Sequence, residues 1–320
     1  MANGIFRLAG MGMLGVRMVP ALTRQLRRIS FKNRVVMITG GSRGLGLEIA
    51  RVLISKGAIV ALVALDKGEL QHAEKLLGAS VADRVFTFAC DVTQEQSVKD
   101  TVAAIASTCG PVEILINDAG VIEVGPMEVQ TVDDYKESMN THFWGPLFTT
   151  HAVLPGMKQR KSGRIVNISS IAGLVSVPHL LPYSASKHAL VGFSTGLRTE
   201  LLKDNIYVTT VCPGLMRTGS PLNADMKGQV QAEYALFSLL DSLPFTSIDA
   251  ATAAQQIVDA CKFGDANLVI SIQAQVARMV HALAPNLSDD VLSWTNIFLP
   301  KATSASDAAA VRNNEIRSRL

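Results

Sequence analysis

The segment Thr39-Gly40-Gly41-Ser42-Arg43-Gly44-Leu45-Gly46 decides the reading of this chain. It follows directly on the β-branched, apolar run Arg34–Thr39 and leads into the amphipathic stretch Leu45–Ser55, which makes it a turn from strand to helix. Gly40 and Gly44 allow a backbone course that a Cβ would obstruct, and Gly46 lets the helix pack closely on the strand. The first turn of such a helix offers free N–H groups and a partial positive charge, the natural seat of a pyrophosphate.

Outward from this turn, short apolar runs alternate with helix-length amphipathic segments. The pattern predicts seven strands, at Arg34–Thr39, Ala58–Ala64, Arg84–Cys90, Val112–Asn117, Arg164–Ser169, Ile206–Cys212 and Asn267–Ser271. Helices are predicted at Leu45–Ser55, Gln94–Thr108, Val132–Leu154, Tyr183–Lys203 and Ala250–Phe263. Parallel neighbours need right-handed crossovers, so the fold class is α/β: a Rossmann-type, doubly wound, parallel seven-stranded sheet in a single domain. The expected division is an N-terminal extension over residues 1–31, a dinucleotide-binding catalytic domain over 32–272 and a C-terminal extension over 273–320.

At 320 residues, 48% of them apolar, the chain can bury a large core, which excludes disorder for most of it. A net charge of +3 and the lack of a basic stripe with interleaved aromatics argue against nucleic acid as a partner. Cys90, Cys109, Cys212 and Cys261 are scattered, with no CxxC pair and no histidine at ligand spacing, which speaks for a reducing compartment and against a metal site.

The glycine spacing is one residue longer than the common dinucleotide fingerprint, and with it the chain resembles the short-chain dehydrogenase/reductase family. That family's TGxxxGxG is met by Thr39, Gly40, Gly44 and Gly46. Asp91 and Val92 follow the third strand, an NAG-like motif ends the fourth, YxxxK opens a helix, and PGxxxT, with Pro213, Gly214 and Thr218, follows the sixth. The chain departs from the family's NNAG by reading Asn117, Asp118, Ala119 and Gly120, a carboxyl group in place of an amide. The resemblance implies a nicotinamide cofactor held by Thr39, Gly40, Ser42, Arg43, Gly44, Leu45, Gly46, Asp91, Val92, Asn117, Ala119, Gly120, Tyr183, Lys187, Pro213, Gly214 and Thr218. In it, Asp91 would meet the adenine amino group and Thr218 the nicotinamide carboxamide. Arg43 lies where similar enzymes pair a basic residue with a 2′-phosphate, and the second strand ends at Ala64 and Leu65 with no acid in place, which favours NADP(H) over NAD(H).

Tyr183 and Lys187 stand one helical turn apart on one face. A nearby ammonium favours the phenolate, so the pair is expected to bring the tyrosine toward neutral titration and make it the acid/base. Ser170, thirteen residues earlier in NISSIAG, falls at the carboxyl end of the fifth strand, where its hydroxyl can meet a substrate oxygen. Ser169 is its adjacent rival, and the family's serine-to-tyrosine spacing selects Ser170. Asn140, inside a predicted helix, is assigned by resemblance to hold a water that links Lys187 to solvent. The catalytic set is then Asn140, Ser170, Tyr183 and Lys187. The expected reaction moves a hydride between the nicotinamide and a carbonyl or alcohol while Tyr183 exchanges the proton. Two other readings compete: a cofactor-binding scaffold without turnover, which has no need of the full set, and an epimerase or dehydratase of the same fold, which needs a longer sugar-nucleotide domain.

The segment from Gly219 to Ser247 is rich in Leu, Phe and Tyr and, by resemblance, forms a lid, which suggests an apolar substrate of steroid, retinoid, fatty or aromatic type. The first 34 residues carry seven basic and no acidic side chains among apolar ones, and Arg17 and Pro20 interrupt any membrane-length run. Three readings stay open for this stretch: an organelle-targeting peptide, an interfacial helix giving peripheral membrane contact through residues 1–30, and an arm lying on its own domain. A cytoplasmic enzyme, with membrane association as a variant, and a homodimer or homotetramer complete the expectations.

Overall fold

The computed structural model describes residues 23–217, 223–242 and 247–302. Strand β1 (Val35–Thr39) is buried at every position, as expected of a run with apolar side chains on both faces. The alternation of its side chains sorts the core into two layers. Val36 and Ile38 join Leu53, Val60, Leu62, Ile116 and Ile257 on one face, whereas Val35 and Met37 join Ala61, Leu115, Ile165 and Val208 on the other.

The other strands are β2 (Ile59–Ala64), β3 (Val85–Ala89), β4 (Ile114–Asn117), β5 (Gly163–Ile168), β6 (Ile206–Pro213) and β7 (Asn267–Ile270), all parallel, in the order β7-β6-β5-β4-β1-β2-β3. Connections run outward one way from β1 and the other way from β4, so a crevice opens beyond the carboxyl ends of these two neighbours, where such sheets bind ligands. The described residues also form helices α1 (Gly44–Ser55), α2 (Lys67–Leu77), α3 (Glu95–Thr108), α4 (Val132–Met139), α5 (Gly145–Arg160), α6 (Leu181–Leu201), α7 (Val230–Ser242), α8 (Ala250–Phe263), α9 (Ile272–Leu283) and α10 (Pro285–Asn296). Two short parallel pairs, Glu123–Val124 with Asp225–Met226 and Leu215–Arg217 with Ser247–Asp249, lie outside the main sheet.

All seven predicted strands are present, and four helices were not foreseen: α2, capped by Asp66 accepting from the Glu69 N–H, α7, within the expected lid segment, and the C-terminal pair α9 and α10. The single helix expected over 132–154 is divided by a wide π-turn at Asn140–Trp144. Packing also begins before the expected boundary at residue 32. Arg24 grips Asp265 through two bonds of 2.8 and 2.9 Å, buried Arg164 donates to the Arg27 carbonyl, and Phe31 belongs to the core.

Candidate active site

The glycine turn is built for close approach. A Cβ on Gly40, whose φ is +70°, would lie 2.9 Å from the Ala119 backbone, and one on Gly46 would lie 2.4 Å from the Gly40 carbonyl. The N-cap residue of α1, Arg43, adds no side-chain bond, and the first turn contains no acid, so the Gly44 and Leu45 N–H groups are left to a ligand, while that of Gly46 goes to the Asp118 carboxyl group. A dinucleotide therefore fits this end of the crevice, and its diphosphate would rest on Gly40–Leu45.

A cleft of about 750 Å³ runs from the turn to the Tyr183 and Lys187 side chains. Of the predicted residues, Gly40, Ser42, Arg43, Gly44, Leu45, Asp91, Val92, Ala119, Gly120, Asn140, Tyr183 and Lys187 line it. Thr39 lies beneath, its hydroxyl accepting the Asp118 and Ala119 N–H groups. Pro213 ends β6, and Gly214 donates to the Ile270 carbonyl outside the cleft lining. Thr218 lies outside the described residues. Asn117 was expected to touch cofactor, but its side chain is turned into the core. There its amide donates to Asn167 at 2.8 Å and accepts from Thr149 at 2.7 Å, a buried network that Asn167 continues to Ser194.

At the adenosine end, Glu69 accepts from Ser42 at 2.8 Å and pairs with Arg43 at 3.3 Å. The anticipated phosphate partner is thus bound loosely, and in solvent, to a carboxylate that the sequence reading overlooked because the helix carrying it was not foreseen.

At the chemical end, α6 begins two residues before Tyr183 and carries Lys187 one turn further along. Tyr183 hydrogen-bonds the Ser170 side chain, while the Ser169 hydroxyl is buried and donates to the Lys187 carbonyl at 3.0 Å, which separates the two rival serines. Lys187 donates to the Ile168 carbonyl at 2.9 Å, with its nitrogen 5.4 Å from the centre of the Tyr183 ring. The expected tuning of the phenol by this ammonium is not what the surroundings produce. Burial pushes Tyr183 up to about 12, with the Ser170 hydrogen bond opposing and Asp118 adding to the rise. The same burial brings Lys187 down to about 8, with Asp118 acting against the fall. Asp118, the carboxyl group that replaces an amide, is itself pushed up to about 7 by desolvation, with Lys187 and a hydrogen bond from the Gly46 N–H acting to lower it.

Asn140 stands on the exposed side of the π-turn at the cleft rim. The residue that this turn sends toward Tyr183 is His142, fully buried, with its ring edge-on to the tyrosine ring at 5.3 Å. The ordinary helical period does not hold through a π-turn, which adds a residue per turn and rotates the residues after it. His179 pairs with Glu233 of α7 at 2.6 Å in buried surroundings and is not among the cleft-lining residues. Among the described residues no cluster of His, Cys, Asp or Glu could hold a metal ion.

The family profile described as short chain dehydrogenase matches residues 34–227. The chain is 33% identical to the mouse dehydrogenase/reductase SDR family member 7B, over 86% of this chain and 85% of that relative. It is 31% identical to the Drosophila melanogaster dehydrogenase/reductase SDR family protein 7-like, over 81% and 79%. Among solved structures, a short-chain dehydrogenase from Streptomyces avermitilis superposes with a TM-score of 0.69 at 28% identity, covering 83% of this chain and 98% of the other. An L-sorbose reductase from Gluconobacter frateurii, solved with NADPH and L-sorbose, superposes with a TM-score of 0.67 at 25% identity, over 76% and 96%.

Proposed function

The chain belongs to the short-chain dehydrogenase/reductase family, whose enzymes transfer hydride at CH–OH and C=O groups, and from that premise we propose that it is an NADP(H)-dependent reductase of an apolar carbonyl compound. The carrying observation is the hydrogen bond between Ser170 and Tyr183, with Lys187 one turn further along the helix, where Tyr183 and Lys187 line the end of the cleft opposite the glycine turn. The nicotinamide supplies the hydride when bound. Ser170 orients the substrate oxygen, and Tyr183, pushed up to about 12 by burial, is protonated at neutral pH and so carries the proton that a reduced carbonyl oxygen needs. Lys187 would meet the nicotinamide ribose. Val121, Ile122 and Met216 on the cleft wall support an apolar substrate. A panel of ketones and alcohols with reduced and oxidised NADP and NAD, followed at the nicotinamide absorbance, tests the reading. Tyr183→Phe is expected to lose turnover by about 10²-fold or more, and full activity in that variant refutes the assignment.

Arg43 supports NADP(H), since an exposed 3.3 Å pair with Glu69 is worth little and yields easily to a phosphate. Glu69 is the specific observation for NAD(H), because its carboxylate can accept from ribose hydroxyls. Arg43→Ala should lower NADPH affinity more than NADH affinity; equal loss for both supports the second reading.

We propose a homodimer contact on α5 and α6; at the start of α5 Trp144, closing the π-turn, is 42% exposed and stacked on Phe148 of that helix. The peripheral membrane contact would join residues 1–30 to the apolar outer side of α9 and α10, where Leu283, Trp294 and Phe298 are 73–82% exposed. No helix among the described residues is long and apolar enough to cross a membrane. Sedimentation tests the first proposal. Liposome flotation of the full chain against a version lacking residues 1–30 tests the second, which falls if neither floats.

A further inference from the structure

His142 occupies the centre of the π-turn and is completely buried. Its Nε2 lies 3.1 Å from the Val121 backbone nitrogen, which can only donate, so Nε2 holds the lone pair and the ring proton sits on Nδ1. Nδ1 is 2.8 Å from the Ser186 Oγ, and Ser186 in turn donates to the Tyr183 carbonyl at 2.9 Å. One tautomer therefore satisfies every group in a directed chain from Val121 through His142 and Ser186 to the backbone of Tyr183. A second ring proton would face the Val121 N–H, and burial together with the Lys187 charge already holds the imidazole well below its ordinary value.

The two ends of this chain are the two halves of the chemical site. Val121 follows Gly120 on the cleft wall beyond β4, while Tyr183 and Ser186 form the opening of α6. The fit is close: a Cβ on Gly120 would come within 3.1 Å of the His142 Nε2. The edge-on contact of the two rings fixes the tyrosine's plane as well as its backbone.

We propose that His142 is a positioning residue for Tyr183: a neutral, Nδ1-protonated imidazole that ties the wall after β4 to the first turn of α6 and sets the direction from which the Tyr183 hydroxyl meets the substrate oxygen beside Ser170. It touches no reacting atom, and both its nitrogens are engaged. The inference rests on the proposed role of Tyr183, and its test is arranged to fail separately from that role.

Nitrogen-15 NMR of histidine-labelled protein reads the tautomer without turnover. The expected His142 signals are a pyrrole-like Nδ1 and a pyridine-like Nε2 that do not move between about pH 6 and about pH 8; a titrating ring, or a proton on Nε2, overturns the proposal. In kinetics, His142→Leu should lower kcat on the order of 10²-fold, with substrate KM and the NADPH dissociation constant, read by nucleotide fluorescence, within about 3-fold of the parent. His142→Gln, whose amide can both donate and accept, should recover about a tenfold part of that loss. Unchanged kcat in His142→Leu, or a loss shared equally by NADPH binding, overturns the proposal. If the leucine variant does not fold, His142→Gln and the tautomer decide: full activity in the glutamine variant together with a mobile ring proton refutes it. Absence of turnover in the unmodified protein overturns the oxidoreductase reading instead, and the tautomer then judges the bonded chain alone.

Discussion

Replacing Asp118 by asparagine restores an amide at a position where this chain has a carboxyl group, and it should stabilise the protein in a way that depends on pH. In the folded state the carboxyl titrates near 7 rather than 3.8, because desolvation at the base of the glycine turn outweighs the attraction of Lys187 and the hydrogen bond from the Gly46 N–H. As pH rises from about 4 to about 7, the unfolded chain releases this proton first, so the folded state binds more protons and stability falls over that window. Carrying an acid from 3.8 to about 7 corresponds to about 4 kcal/mol. That figure is a ceiling, since the group stands on the wall of an open cleft where solvent relieves part of the penalty. The amide of the variant has no such proton. Urea unfolding at about pH 5 and about pH 8 should show the advantage of Asp118→Asn widening from under about 2 toward about 4 kcal/mol, with little change in m. An advantage of equal size at both pH values, or none, refutes the assignment of a desolvated, proton-holding carboxyl at this place.

Asn117→Ala should cost about 1–3 kcal/mol in unfolding experiments by leaving Asn167 and Thr149 short of partners, while the folded fraction binds NADPH as before; a selective loss of NADPH binding would return Asn117 to the cofactor site. Gly46→Ala places a methyl group 2.4 Å from the Gly40 carbonyl, so it should lower stability by about 1–3 kcal/mol and weaken dinucleotide binding in fluorescence titrations. Ser170→Ala and Ser169→Ala should each lower stability by about 1 kcal/mol, through the lost bonds from the Ala172 N–H and to the Lys187 carbonyl. Only Ser170→Ala should reduce kcat, by about 10²-fold, and the same loss in Ser169→Ala alone would exchange the roles of the serines.

The central strands were readable because each is a short apolar run whose burial on both faces leaves little alternative, as Val35–Thr39 shows, while the edge strands Val85–Ala89 and Asn267–Ile270 are only partly buried and were read from their apolar, β-branched and aromatic content. The glycine turn was readable because its residues answer to backbone sterics that any strand-to-helix turn imposes. Helix α2 was missed because its mean character is polar and only Leu70 and Ala73 reach the core, so the apolar stripe is too thin to be seen in sequence. His142 was hidden by the π-turn, which breaks the helical count for one turn. The only signals in the sequence were Pro146 and Gly145 just beyond it, residues that disturb a helix interior without saying which side chain is turned inward. Asp118 was visible as a departure, but its closeness to Gly46 and Lys187 joins β4, α1 and α6, which no local pattern reports.

The bond between His179 and Glu233 ties α7 to the loop that precedes α6. Both side chains are less than a tenth exposed, and His179 keeps a left-handed backbone at φ +64° while its carbonyl accepts the Gly125 N–H. Parting α7 from this loop would leave two enclosed polar side chains without each other, a cost of several kcal/mol. A displacement that keeps the pair clasped therefore carries helix and loop together, like a door hung on its own frame.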